Sequence, residues 1–278
     1  MEKFKIVADS SADTFEIDAI PFAFAPLKII TTEEEFTDTP ELDVKGMVDF
    51  LQGYKGKSST SCPNPEDWLS AFGDSENIFC VCITATLSGS YNAALAAKEL
   101  YLETHPDRNV YVINSLSAGP ELRLIIEKLA EYISDGLSFD EICQKIDQYM
   151  QSTGLLFMLE SMRNLANNGR VGSLAAKAAG LLGIRVVGKA SDKGDLEQLS
   201  KCRGQEKAVK FIADYIQQEG CKNGKIRISN CFNTEAAEQL KALLITKIPN
   251  ADIEIYNAGA LCSFYAEKGG MLIGFEKF

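Results

Sequence analysis

The run Ile78-Phe79-Cys80-Val81-Cys82-Ile83-Thr84 constrains this chain more than any other stretch. It carries no charge and shows no polar alternation, so it reads as a strand buried on both faces. Such strands sit inside parallel sheets that helices cover on both sides. The neighbouring sequence agrees. Leu87-Ser88-Gly89-Ser90 turns the chain into a helix expected over 91–103, and a second strand is expected over 110–114, followed by helices over 121–133 and 138–150. Upstream, Phe4-Lys5-Ile6-Val7-Ala8-Asp9 is a short strand that stops at the polar turn Asp9-Ser10-Ser11-Ala12-Asp13. This strand-turn-helix rhythm predicts an α/β fold built on a doubly wound parallel sheet.

Between those strands, residues 19–40 read as extended and punctuated by prolines, and 43–54 has helical spacing (Val44, Met47, Val48, Leu51) behind an Asp43 cap. Pro63 and Pro65 interrupt the chain before a short helix over 68–72. From about Gly154 the rhythm changes. A strand over 155–159 leads to a short helix over 161–167, the turn Asn167-Asn168-Gly169-Arg170 and an alanine-rich helix over 173–182. Strands over 185–189 and 196–200 flank Asp192-Lys193-Gly194-Asp195, which reads as a hairpin tip. A helix over 205–218, a strand over 225–229, a helix over 234–246, a strand over 252–256 and a final strand complete the chain. The expected organisation is an N-terminal α/β domain over 1–154 and a C-terminal α+β domain over 155–278.

Composition narrows the function classes. Apolar residues form 46% of the 278, enough for a core and for the lining of a cavity. No apolar run approaches the roughly 20 residues of a membrane span. The N-terminus lacks a signal-peptide core, so a cytoplasmic protein without integral membrane association is expected. A formal net charge of −11 without a basic cluster argues against nucleic acid as a partner. The eight cysteines include no Cys-x-x-Cys, and the one histidine, His105, lies far from them and reads as a solvated loop residue. Free thiols in a reducing compartment and no metal site are therefore expected. Gly-x-Gly-x-x-Gly and Gly-x-Ser-x-Gly are both absent, and Gly53-Tyr54-Lys55-Gly56-Lys57-Ser58 is too short for a phosphate loop and follows a helix. With no catalytic residues and no cofactor expected, a binding module leads over an enzyme.

Two clusters of small hydroxyls stand where a parallel α/β protein builds a ligand site. Thr60-Ser61-Cys62-Pro63-Asn64-Pro65 is one, and Leu87-Ser88-Gly89-Ser90-Tyr91-Asn92, directly after the buried strand, is the other. Free N–H groups at a helix start, with hydroxyls and the helix dipole, favour an anion there, and Gly89 would let it approach the backbone. A serine at a helix start also serves as a plain cap. If the anion carried an alkyl tail, apolar residues such as Phe22, Phe24, Leu27, Ile29 and the 173–182 helix could line a tunnel. The same residues would equally serve as core. An alternative is a phosphoryl- or acyl-transfer enzyme using the same anion site, for which the sequence offers only carboxylates such as Asp9 or Asp13 as a general base.

The motifs Asp9-Ser10-Ser11-Ala12-Asp13, Thr60-Ser61-Cys62-Pro63-Asn64-Pro65, Leu87-Ser88-Gly89-Ser90-Tyr91-Asn92-Ala93-Ala94, Asn167-Asn168-Gly169-Arg170-Val171 and Lys201-Cys202-Arg203-Gly204 occur in one order along the chain. In that order and spacing the sequence resembles the DegV family of bacterial fatty-acid-binding proteins from end to end. The resemblance implies a long-chain fatty acid buried between the two domains, its carboxylate held by Thr60 and Ser88 and supported by Ser61, Gly89 and Ser90. It also implies a partner, a fatty acid kinase subunit that phosphorylates the presented carboxyl group for phospholipid synthesis. Arg170 and Arg203 would face that partner or the phosphate. Where the family often carries a histidine near the head group, this sequence has Tyr265, within Gly259-Ala260-Leu261-Cys262-Ser263-Phe264-Tyr265-Ala266-Glu267-Lys268-Gly269. A phenol can hydrogen-bond a carboxylate but does not become cationic near neutral pH. Asn114 stands where many members carry Asp.

Overall fold

The computed structural model describes residues 4–18, 20–171 and 183–278. The alanine-rich helix expected over 173–182 lies outside the described residues. Strands β1 (Phe4–Asp9) and β2 (Phe22–Ala25) pair in parallel. Three short strands follow, β3 (Lys28–Ile30), β4 (Glu35–Thr37) and β5 (Ser59–Ser61), which pair antiparallel in the order β4-β3-β5. The extended segment expected over 19–40 thus splits between two sheets. Helix α1 (Val44–Gly53) starts where Asp43 accepts a hydrogen bond from the Gly46 N–H, as its spacing predicts. Helix α2 (Pro65–Phe72) starts three residues earlier than expected, because Pro65 opens it behind an Asn64–Asp67 capping box instead of breaking the chain.

Strand β6 (Asn77–Cys82) is buried along its whole length, with Phe79 and Val81 in one apolar cluster and Ile78, Cys80 and Cys82 in another. It pairs in parallel with β1 and with β7 (Asn109–Asn114), giving the sheet order β2-β1-β6-β7. The chain therefore steps outward from β1 to β2 and later returns to the other side of β1, which makes β1/β6 the switch point of the sheet. The loops leaving these two strands splay apart there, where parallel α/β sheets bind ligands. Helices α2 and α3 (Ser90–Thr104) cover one face, and α4 (Pro120–Ser134) and α5 (Phe139–Met150) cover the other.

Strand β8 (Thr153–Leu159) opens a second, six-stranded mixed sheet ordered β10-β9-β8-β13-β11-β12. A short helix α6 (Arg163–Asn167) precedes the hairpin of β9 (Ile184–Ala190) and β10 (Leu196–Arg203). Then come α7 (Gln205–Gln218), β11 (Lys225–Asn230), α8 (Thr234–Lys247), β12 (Asp252–Asn257), α9 (Ala260–Ala266) and β13 (Met271–Glu276). The pattern did not predict α9, whose seven residues are too few for a helical period to show. Leu156 and Met158 of β8 pack under α7 and α8, while Leu155, Phe157 and Leu159 point the other way, towards α1 and the β3 sheet. The two halves interlock, since α4 packs on β1 and β6 on one side and on β8, β11 and β13 on the other. Among the described residues no helix is long and apolar enough to cross a membrane.

Candidate functional site

A cavity lies between the two sheets, at the switch point of the first. About 710 Å³ of atom-free space, mouth included, separates its walls. Seventeen of the described residues line it, and twelve of these are aliphatic or aromatic side chains without a polar atom. Leu155, Phe157 and Leu159 come from β8, Leu272 from β13, Ile83 and Leu87 from the loop after β6, Leu27 from the β2–β3 link and Leu261 from α9. An apolar strand with both faces covered reads the same whether one face meets a core or an empty space. That is why β8 gave no separate signal for the cavity.

The polar lining consists of Thr60, Ser88, Arg170 and Tyr265, with the Cys262 thiol. Thr60, in the middle of β5, shares a 2.7 Å hydrogen bond with the Tyr265 hydroxyl of α9. Whichever oxygen donates in that pair, one O–H is left to point elsewhere. Burial pushes the Tyr265 phenol above its ordinary value, against the opposing pull of Thr60 and of the nearby Arg170 charge, so it stays neutral. Ser88 Oγ accepts the Ser90 N–H at 3.3 Å, which leaves the Ser88 O–H as a donor. Arg170 follows the turn after α6 and spends two N–H groups on the carbonyls of Leu87 (3.2 Å) and Asn168 (2.5 Å). The remaining guanidinium donors carry a positive charge into a space otherwise walled by hydrocarbon. Such a site suits an anion attached to an apolar body.

The other expected site residues fall elsewhere. Ser61 follows Thr60 on β5, so its side chain takes the opposite face of the strand, and it does not line the cavity. Gly89 is exposed and has an ordinary φ of −76°. A Cβ there would stand 3.2 Å from Cys62 Sγ, so the glycine lets the two hydroxyl clusters pack together. Ser90 is fully buried, and its hydroxyl turns away from the cavity to Asp9 Oδ2 at 2.6 Å. Arg203 is exposed at the end of β10, outside the lining. Of the described residues expected to line a tunnel, Leu27 reaches the space, while Phe22 packs beside α4 and α5 and Ile29 beside α1; the 173–182 segment lies outside the described residues. His105 is half-buried rather than solvated, its ring stacked on Tyr101 at 4.6 Å between centroids. Asn114 Oδ1 accepts the Ala85 N–H at 3.1 Å and the Leu116 N–H at 3.3 Å, which an aspartate at that position could do equally.

Two features that close the site are not visible in the sequence: the docking of the expected hairpin tip across the cavity, and the anchoring of α9. The hairpin tip reaches across from the second sheet, where Thr86 Oγ1 donates to the Gly194 carbonyl at 2.8 Å, and Leu196 just beyond it lines the cavity. Gly194 has φ +82°, and a Cβ there would fall 2.1 Å from Thr84 Oγ1, so only glycine allows this docking. The start of α9 is held by two buried carboxylates. Asp38 accepts from the N–H groups of Ala260 (2.9 Å) and Leu261 (3.1 Å), and Asp13 accepts from the Gly259 N–H (2.9 Å) and the Ser229 hydroxyl (2.7 Å). Burial pushes Asp13 up to about 7 and Asp38 up to about 6. Among the described residues, no group of His, Cys, Asp or Glu side chains could hold a metal ion.

The DegV family model, described as "Uncharacterised protein, DegV family", matches residues 3–277. A DegV domain-containing protein of Streptococcus pneumoniae serotype 4 is 43% identical over 277 residues, which is 98% of this chain and 99% of that one. Among solved structures, a DegV family protein from Eubacterium eligens loaded with heptadecanoic acid is 44% identical, covering 99% of this chain and 100% of its own, with a TM-score of 0.96. The Streptococcus pneumoniae Fatty Acid Kinase (Fak) B3 protein loaded with linoleic acid is 42% identical over the full length of both chains, also with a TM-score of 0.96. With the parallel sheet, the mixed sheet and the intervening cavity all in place, these matches establish that the chain belongs to the DegV family.

Proposed function

We propose that this protein binds a long-chain fatty acid in the inter-sheet cavity, holds its carboxylate by Thr60 and Ser88, and performs no chemistry on it. One observation carries the reading: an otherwise apolar cavity gathers two small hydroxyls, a phenol and a guanidinium among its lining. The relatives loaded with heptadecanoic and linoleic acid support it. Energetically the tail dominates. Each buried methylene contributes about 0.8 kcal/mol, so about ten of them outweigh a few hydrogen bonds worth about 1 kcal/mol each. The head-group contacts then serve chiefly to orient the carboxylate and select for its charge.

The Fak B3 relative also supports a role in presenting the bound acid to a kinase subunit inside the cell, and there Arg170 and the exposed Arg203 would meet the phosphate or the partner. A transferase that uses the same site would need a base, and the two carboxylates weighed for that role do not supply one. Asp9 and Asp13 are buried, occupied by hydrogen bonds and absent from the cavity wall.

Native mass spectrometry of the purified protein, followed by denaturing extraction, tests the reading. The expected result is one fatty acid per chain, with occupancy reduced, though not abolished, in the Thr60→Ala/Ser88→Ala double variant. Protein that stays empty after incubation with excess oleic acid would contradict it.

A further inference from the structure

Asp9 ends β1 at the switch point of the parallel sheet and is fully buried, yet it does not touch the cavity. Its Oδ2 accepts the Ile83 N–H at 2.9 Å and the Ser90 hydroxyl at 2.6 Å, and its Oδ1 accepts the Ser11 hydroxyl. Ile83 and Ser90 are the two ends of the loop that carries Leu87, Ser88 and Gly89. One carboxylate therefore pins both ends of the loop that supplies Ser88. The Ser90 N–H in turn bonds Ser88 Oγ at 3.3 Å. A serine hydroxyl that accepts from its own loop keeps its O–H for another acceptor.

Resting on the fatty-acid reading above, we propose that Asp9 is the positioning residue of the head-group site. In this role it acts through Ser90 to hold Ser88 as a hydrogen-bond donor to the bound carboxylate. The three donors converging on Asp9 explain why a charged group occupies a site that desolvates it. An asparagine offers one acceptor oxygen, and its NH₂ would face either the Ser11 hydroxyl or the Ile83 N–H and Ser90 hydroxyl. An alanine would leave all three donors unsatisfied. Burial raises the proton affinity of Asp9 and its hydrogen bonds oppose the rise, as expected for a carboxylate kept for its acceptor capacity. Ser90 is thus assigned to the support of the anion site and not to contact with the anion.

The test measures affinity of the full chain, stripped of lipid, for oleic acid and for oleyl alcohol, which shares the tail but carries no charge. Wild type, Ser88→Ala, Asp9→Asn, Ser90→Ala and Ser90→Thr are compared. The proposal expects Ser90→Ala and Asp9→Asn to lose about tenfold in oleic acid affinity, as Ser88→Ala does, with oleyl alcohol affected less than twofold. Ser90→Thr, which keeps the hydroxyl, should recover most of the loss. If Asp9→Asn fails to fold, Ser90→Ala and its threonine rescue carry the test. Wild-type oleic acid affinity in Ser90→Ala overturns the proposal while leaving the fatty-acid reading intact. So does an equal loss for acid and alcohol, the mark of a merely structural defect. A wild-type protein that binds neither probe overturns both.

Discussion

Two seams join the halves of this molecule, and they are built from opposite materials. Along one, α4 meets β11 and β12 through charge. Arg227, only 5% exposed, bonds Glu127 at 2.7 and 2.8 Å and Asp252 at 2.9 Å, Lys225 reaches Glu127 and Glu131, and Arg123 reaches Glu254 at 2.7 Å. Along the other, β8, β13 and α9 face β5 and the loop after β6 across hydrocarbon walls, with Thr60, Ser88, Arg170 and Tyr265 as the main polar contributions. The charged seam is filled by the protein itself. The apolar seam leaves an open space between its described walls. Stability and binding should therefore respond to different residues.

The largest separation is expected at Arg227. Removing it leaves Glu127 half-buried with Lys225 and Arg123 as its cationic partners among the described residues, which should cost about 3 kcal/mol in urea denaturation. Oleic acid occupancy of the folded fraction should not change. Comparable losses of stability and occupancy would show that the seams act as one.

The carboxylates that hold α9 should produce an unusual pH profile. The folded-state values of Asp13 and Asp38, about 7 and about 6, stand above those of an unfolded chain. Their contribution to stability is therefore present in acid and is lost as pH rises through the folded-state values. Between about pH 8 and about pH 5 the two raised values together correspond to a gain of about 4 kcal/mol. Further acidification reverses the trend as Glu127 protonates. Burial alone would raise that carboxyl, but Arg227 and Lys225 outweigh burial and hold it below its ordinary value. Stability that falls steadily from pH 8 downward would remove these two carboxylates from the account.

At the apolar seam, Ser88→Ala should weaken oleic acid binding about tenfold, or about 1.4 kcal/mol, with the denaturation midpoint of the lipid-free protein unchanged. Titration calorimetry on the stripped variant reads this directly. The smallest effect is expected from Tyr265→Phe, about threefold, because Thr60 then keeps its own O–H for the ligand. A larger loss from Tyr265→Phe than from Ser88→Ala would make the phenol, and not the serine, the principal donor.

The two serines of the Leu87-Ser88-Gly89-Ser90 turn show how far the sequence could be read. Both stand in one hydroxyl-rich helix start, and locally nothing separates them. What separates them is Asp9, which lies 81 residues from Ser90 in the chain and draws only that hydroxyl inward. Likewise the anchoring of α9 depends on Asp38, 222 residues before Ala260, so no local cap marks that helix. Elements with local causes were legible. Asp43 capping α1, the amphipathic spacing of α7 and the uncharged strand β6 all stand where the pattern puts them. Thr60 and Ser88 were singled out from hydroxyl clustering and resemblance, and both line the cavity. The hydrocarbon walls were not legible, because Leu155, Phe157 and Leu159 would look the same packed against a core.

The central claim is that the apolar seam is a tunnel for an alkyl chain. Titrating the stripped protein with straight-chain acids from octanoic to octadecanoic tests it most directly. The account predicts affinity rising about fourfold per added methylene, from about 0.8 kcal/mol each, until the tunnel is full. An affinity that does not change with chain length would contradict it, and would reduce the site to an anion pocket without a tail.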